Sequence, residues 1–378
     1  MTDARAPSRS ITWVHIGDLH LDEADGWQSR DCLAAIVDQV ETRLRGSVDF
    51  VYLPGDNANH GTPEKYRVMT DTLSALTVPW RIIPGDHDFE PGDLAAYDAA
   101  IPPANRPDHE VIAGHRCIFL NIVSAGAGGP DFRLTMHDRN RIAEELARAS
   151  AEQQTPLVFM HAYPGDLAAD GGAVALSFIH GDVAFVDTGH THYNELLNDG
   201  YVVYGATRST GQIEEGRGRA GFAIVTVHDG VPSWRFRTLD APWPHVQIVS
   251  PCDRRLVTRP ADPYQVPRPG SVTVTACVHG AAHDSNVTLE HGSTATPMTR
   301  GADGWWRGAV SLDAGLHALR VTCGNSQDTI DVLVRGADAI PKRRLPVAPG
   351  QDCHAVGAWP IAGIDGAQLG PNKNGAGW

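Results

Sequence analysis

Trp80-Arg81-Ile82-Ile83-Pro84-Gly85-Asp86-His87-Asp88 decides how the rest of the chain is read. The first four residues are a short, largely apolar run of the kind that forms a buried strand, and Pro84-Gly85 ends it with a turn. The proton-active residues Asp86, His87 and Asp88 follow at once. Two earlier stretches share this pattern, Ile16-Gly17-Asp18-Leu19-His20 and Leu53-Pro54-Gly55-Asp56. Two later ones repeat it, Val158-Phe159-Met160-His161 and Asp187-Thr188-Gly189-His190-Thr191-His192. In an open α/β sheet the loops at the carboxyl ends of the strands converge on one crevice. The tips therefore gather Asp18, His20, Asp56, Asp86, His87, His161, His190 and His192 in one place. So many imidazoles and carboxylates exceed what a single ion uses and suit two. In Asp18-Leu-His20 and His190-Thr-His192, residues i and i+2 of an extended segment point the same way.

Working outward, strands alternate with helices. Leu33, Ile36, Val37, Val40 and Leu44 recur at helical spacing between Arg30 and Leu44, and Gly46 stops that helix. Thr62-Pro63 reads as an N-cap and first turn, opening a helix to about Leu76. A third helix is expected over His137–Ser150. Strands are expected at residues 11–16, 49–53, 80–83, 109–123 (two, joined at Gly114), 157–160, 183–186 and 201–204. A hairpin around His228-Asp229-Gly230 follows. This predicts a layered α/β domain over residues 1–240. Beyond Asp240 the proline-rich stretches APWPHV and RPADPYQVPRPG read as linkers, with an edge strand in Val246–Thr258 between them. From Ser271 to Val334 only strands are expected, which predicts an all-β, immunoglobulin-like sandwich domain over 241–336. Residues 337–378 form a C-terminal tail with Lys342-Arg343-Arg344 and a glycine-rich end at Trp378.

Charge and composition narrow the function. Lys and Arg number 31 against 45 Asp and Glu, a net charge of −14, which argues against a non-specific nucleic-acid binder. The first residues lack the apolar core of a secretory leader, and no run is long enough to span a bilayer. A cytoplasmic protein without membrane or nucleic-acid partners is expected. The six cysteines have no CxxC spacing, so reduced thiols rather than a zinc ribbon are expected. Cys277 and Cys323 are the one candidate disulfide pair.

The order Asp18-Leu-His20, Gly55-Asp56, Gly85-Asp86-His87-Asp88, His161, Gly189-His190-Thr-His192 resembles the calcineurin-like metallophosphoesterases, whose pattern is DxH, GD, GNH(D/E), a lone H, then GHxH. The resemblance covers residues 11–237. Gly55-Asp56-Asn57-Ala58-Asn59-His60-Gly61 and its continuation to Tyr66 are similar to the class III cyclic-nucleotide phosphodiesterase and glycerophosphodiesterase branch. The resemblance implies a four-layer αββα sandwich. It places one metal on Asp18, His20, Asp56 and His192, and a second on Asp56, Asp86, His161 and His190, with Asp56 shared. It also implies attack on phosphorus by a metal-bridging hydroxide, with His87 as proton donor and Asp88 orienting His87. Asn59, His60 and Arg208 are candidate substrate contacts. The chain departs from the family at Asp86, where asparagine is usual. The added negative charge favours a harder or more highly charged centre, so iron or manganese is expected, with zinc as the remaining candidate. The expected function is a binuclear phosphodiesterase acting on a small organic phosphodiester. The alternatives are a phosphomonoesterase and a metal-bound binding protein without catalysis. Beyond the substrate, homo-oligomerisation is the one association left open.

Overall fold

The computed structural model describes residues 9–126, 129–213 and 218–336, together with the backbone of Gln368–Leu369. The rest of the tail, including Lys342, Arg343, Arg344, Cys353, Lys373 and Trp378, lies outside the described residues.

Two sheets face each other. One has five strands in the order Val231–Thr238, Gly221–His228, Ser10–His15, Phe50–Leu53, Trp80–Ile82. The other has seven, in the order Gln368–Leu369, Glu195–Asn198, Val203–Ala206, Phe185–Thr188, Thr155–Met160, His115–Leu120, His109–Ile112. Period-two side chains divide each strand between two cores. Ile11, Trp13, Phe50 and Tyr52 point into the space between the sheets, where they meet Cys117, Phe119, Leu157 and Phe159. Their neighbours Val14, Val51 and Leu53 point outward, against Leu33, Ile36 and Val37 of helix Gln28–Gln39 and Tyr66, Met69 and Leu73 of helix Pro63–Leu73. Ile118, Leu120, Val158 and Met160 likewise meet Ile142 and Leu146 of helix Met136–Ala151 and Val174 and Phe178 of helix Gly171–His180. The central strands are thus buried on both faces, as their near-continuous apolar runs require. The result is the expected four-layer αββα sandwich.

Local signals act as the sequence suggests, with two exceptions. The Thr62 hydroxyl accepts from the Lys65 N–H at the start of its helix, and Thr135 and Asp138 close a capping box at the next. The helix expected to run to Leu44 instead loosens into a π-turn over Val40–Leu44 before Gly46, at φ +79, ends it. Pro84–Asp88 is not simply a loop: Asp86–Phe89 forms one helical turn.

The strands after residue 240 make two four-stranded sheets, one with His245–Ser250, Gly270–His279, Trp306–Leu312 and Thr299–Arg300, the other with Thr294–Pro297, Val287–His291, Gly315–Cys323 and Ser326–Val334. Val246, Ile248, Val274, Leu289, Leu319, Val321 and Val332 fill the space between them. Cys277 and Cys323 are free thiols on different sheets. The edge strand expected over Val246–Thr258 ends at Ser250, and the segment from there through the proline-rich stretch 259–270 is not a free linker. Its Leu256, Val257 and Val266 join the core between the α/β sheets, and Asn198 Nδ2 donates to the carbonyls of Arg255 and Val257 at 2.9 and 3.0 Å. Ser233 Oγ donates to the Ile248 carbonyl at 2.9 Å, and Arg235 pairs with Asp328 at 2.6 Å. The β-sandwich therefore packs directly on the outer strand Val231–Thr238. No helix among the described residues is long and apolar enough to cross a membrane.

Candidate metal centre

The carboxyl ends of strands Ser10–His15, Phe50–Leu53, Trp80–Ile82, Thr155–Met160 and Phe185–Thr188 open on one side of the paired sheets. Their loops bring together two groups of potential ligand atoms, Asp18, His20, Asp56 and His192 in one and Asp56, Asp86, His161 and His190 in the other, each within a 4.8 Å span. Asp56 belongs to both. In the first group, His192 Nε2 lies 3.7 Å from Asp18 Oδ2, and His20 Nε2 lies 3.7 Å from Asp56 Oδ2. In the second, Asp86 Oδ1 is 3.2 Å from His161 Nε2 and 3.4 Å from His190 Nδ1, and Asp56 Oδ2 is 3.4 Å from His161 Nε2.

Backbone geometry sets these positions. His20, Asp56, His190 and His192 all have left-handed backbone, with φ between 43 and 67°. A side chain at Gly85 would strike Asp56 Oδ1 at 2.2 Å, and one at Gly55, itself at φ +115, would strike His161 Nδ1 at 2.3 Å. These glycines allow two strand tips to approach until their ligands converge. Main-chain groups then aim the side chains. The His190 N–H donates to Asp18 Oδ2 at 2.8 Å, and the His87 N–H to Asp56 Oδ1 at 2.9 Å. His161 Nδ1 sits 2.8 Å from the Pro54 carbonyl, which as a pure acceptor fixes the proton on Nδ1 and turns Nε2 toward the carboxylates.

The electrostatics fit a cation-binding site. Burial opposes charge on Asp56, but His161 outweighs it and holds the carboxyl down at about 2. Burial likewise opposes charge on Asp86, which the bonds to His161 and His190 hold far below the usual carboxylate range. Conversely, burial favours neutral His161, yet Asp56 and Asp86 raise it well above its ordinary value. A proton there satisfies a demand for positive charge that a metal would meet. Two further observations agree. His20 Nε2 and His192 Nε2 face each other at 2.9 Å, an arrangement of two lone pairs that needs a proton or cation. Asp18 Oδ1 is buried without a hydrogen-bond donor among the described residues. Hard carboxylates and imidazoles suit divalent or trivalent first-row metals.

The remaining candidates are placed differently. His87 stands at the edge of the site, its ring 4.6 Å from that of His20. Asp88, expected to orient it, does not: its carboxylate is buried and accepts from the Gly85, Asn57 and Ala58 N–H groups, from Asn57 Nδ2 and from the Tyr66 hydroxyl. Asp88 ties the tip 84–88 to the tip 55–58, and burial, then the Asp56 charge, pushes it up to about 6. The carboxylate beside His87 is Glu90, whose Oε1 lies 3.1 Å from Nδ1. Glu90 Oε2 also lies 3.3 Å from Nδ1 of exposed His60. Sequence reasoning missed Glu90, whose only signal is i+3 spacing on a helical turn. Asn59 sits behind the site, its Oδ1 3.4 Å from His20 Nδ1 and its amide donating to Asp22. Arg208 turns away from the ligand atoms. Its guanidinium lies 4.1 Å over the Phe236 ring.

Residues 11–194 match the family model described as calcineurin-like phosphoesterase. Among solved structures, a dimetal phosphatase from Danio rerio is 15% identical with a TM-score of 0.49, covering 61% of this chain and 96% of that one. A putative 5'-nucleotidase from Staphylococcus aureus is 13% identical with a TM-score of 0.41, covering 62% of this chain and 55% of that one. No curated protein matches the chain.

Proposed function

We propose that this chain, whose residues 11–194 belong to the calcineurin-like phosphoesterase family, is a two-metal phosphodiesterase acting on a small organic phosphodiester. Asp18, His20, Asp56 and His192 would hold one ion, and Asp56, Asp86, His161 and His190 the other. Bound metals would supply Lewis acidity toward the phosphoryl oxygens and an activated water. The chain's own residues do the rest. Asp56 holds the two groups at a fixed separation, and the Pro54 carbonyl keeps His161 in the ligating tautomer. His87, at the open edge and beside Glu90, donates a proton or hydrogen bond to the leaving oxygen.

The observation that carries the diester reading is the third carboxylate, Asp86, set among His161 and His190. Two divalent ions bring about +4, and Asp18, Asp56 and Asp86 together about −3. The nucleophilic hydroxide would add about −1, so the net charge is close to zero and a doubly charged monoester gains little over a singly charged diester. Glu90 at the edge adds further repulsion for the monoester. Asp86 is also a hard oxygen donor, which supports a centre containing iron or manganese. The test is turnover of bis-(p-nitrophenyl) phosphate against p-nitrophenyl phosphate by protein loaded separately with manganese, iron and zinc. A kcat/KM favouring the diester supports the reading. Preference for the monoester overturns the substrate class, and no turnover of either with both sites filled overturns the enzyme reading.

A further inference from the structure

Among the described residues, a phenyl ring packs on the imidazoles of one metal group and not on those of the other. Strands Val123–Gly126 and Gly129–Phe132 pair as a two-stranded ribbon beside the candidate centre. The helical turn Asp86–Phe89 lies against both strands. The ribbon is tied down at its base. The Arg133 N–H donates to the Ile122 carbonyl at 2.6 Å, and the Ala168 N–H, in the loop that follows His161, donates to the Phe132 carbonyl at 2.9 Å. Phe132 is buried, with its ring centroid 4.9 Å from that of His190 at 84° and 5.7 Å from that of His161 at 61°. Both are edge-to-face contacts. The rings beside His20 are those of His87 and His192, both imidazoles.

We propose that Phe132 is a positioning residue for the second ion alone, the one that Asp56, Asp86, His161 and His190 would hold, and that it sets this ion's affinity separately from the first. The proposal rests on the two-metal reading above. An imidazole ligates well only when its ring plane is fixed. For His161 the Pro54 carbonyl does this through Nδ1. His190 uses Nδ1 to face Asp86, at 3.4 Å, and its side chain is 29% exposed against 0% for His161. Its ring is flanked by Phe132 and His161. Phe132 therefore does for His190 what the Pro54 carbonyl does for His161. The phenyl ring also keeps water from that flank, which strengthens the attraction between a cation and the Asp56 and Asp86 carboxylates.

The test is calorimetric titration of metal-stripped protein with manganese, with bound metal counted by elemental analysis. It is run on wild type, Phe132→Ala, Phe132→Leu, His190→Ala, His192→Ala, and Phe132→Ala combined with each histidine variant. Wild type should show two binding events. Phe132→Ala should weaken one of them by about tenfold or more, the usual effect of removing a group that orients a ligand, and leave the other in place. The same loss should appear when Phe132→Ala is added to His192→Ala, and none when it is added to His190→Ala. Phe132→Leu keeps an apolar filling without the ring, so it should weaken the same event severalfold, and it remains informative if Phe132→Ala fails to fold. A purely structural role would lower the melting temperature without separating the two events. Equal weakening of both events, a loss independent of His190, or wild-type binding by Phe132→Leu overturns the proposal. If wild type takes up only one ion, the two-metal reading falls by itself. The proposal then stands if both His190→Ala and Phe132→Ala weaken that ion, and is overturned if either does not.

Discussion

Asp86 sets the charge of the candidate centre, and removing that charge is a clean experiment. Asp86→Asn keeps an oxygen beside His161 and His190, so it should retain two metals and bind vanadate more tightly. Unchanged vanadate affinity at equal metal loading would rule out the charge argument. Asp56→Ala removes the one carboxylate common to both groups and should abolish activity together with most bound metal, read by elemental analysis. Glu90→Gln should keep both metals while lowering turnover by roughly tenfold, and His87→Ala by about 10²–10⁴. Both losses should shrink for substrates with better leaving groups; a uniform loss would mean these residues bind the phosphoryl group instead. The placement of Asp18, His20, Asp56, Asp86, His161, His190 and His192 was legible because each sits at the tip of an apolar run. The roles of Asp88 and Glu90 were not, because one helical turn, Asp86–Phe89, sends Asp88 inward and brings Glu90 under His87.

Among the elements, strands Ser10–His15 and Phe185–Thr188 of opposing sheets are joined by a polar contact within an otherwise apolar core. His15 Nδ1 lies 2.6 Å from Asp187 Oδ1, both fully buried, and Trp13 Nε1 donates to Asp187 Oδ2 at 2.5 Å. Removing one member strands the others without water, so Asp187→Ala should cost about 3–5 kcal/mol, measured by urea denaturation. A loss below about 1 kcal/mol would mean that the pair is dispensable. Apolar patterning made the central strands readable, as short near-continuous runs. It could not find helix Gly171–His180, which opens on Gly-Gly and is apolar on most sides, nor the short strand Glu195–Asn198, whose ends are polar although the whole strand is buried.

For the whole molecule, the outer strand Val231–Thr238 is buried almost throughout, and nothing in its residue pattern hints that the β-sandwich covers it. A chain ending at Leu239 loses Cys252, Leu256, Val257 and Val266 from the core that holds Trp234. It should aggregate or melt well below the full chain by calorimetry; a stable, metal-loaded monomer would show instead that the α/β layers are self-sufficient. Acid should attack the same junction. Burial, then Arg237, lowers His279 to about 4 from an ordinary 6.5, and His245 is lowered as well. The unfolded chain therefore takes up these protons first. Their contribution to stability is complete above about pH 6.5 and is lost as pH falls toward 4, up to about 3 kcal/mol for His279 alone. His279→Asn should flatten the decline in melting temperature between pH 7 and 4.5. An unchanged decline would assign the acid sensitivity elsewhere.

The left-handed backbone at His20, Asp56, His190 and His192 carries a consequence for laboratory evolution. Such a conformation costs a residue with a side chain about 1–2 kcal/mol, and glycine almost nothing. A library selected only for survival at high temperature, under a chelator, should therefore enrich glycine at these four positions. Each hardier descendant would have discarded a donor atom, and its gain in heat resistance would measure what the parent spends on keeping its chemistry.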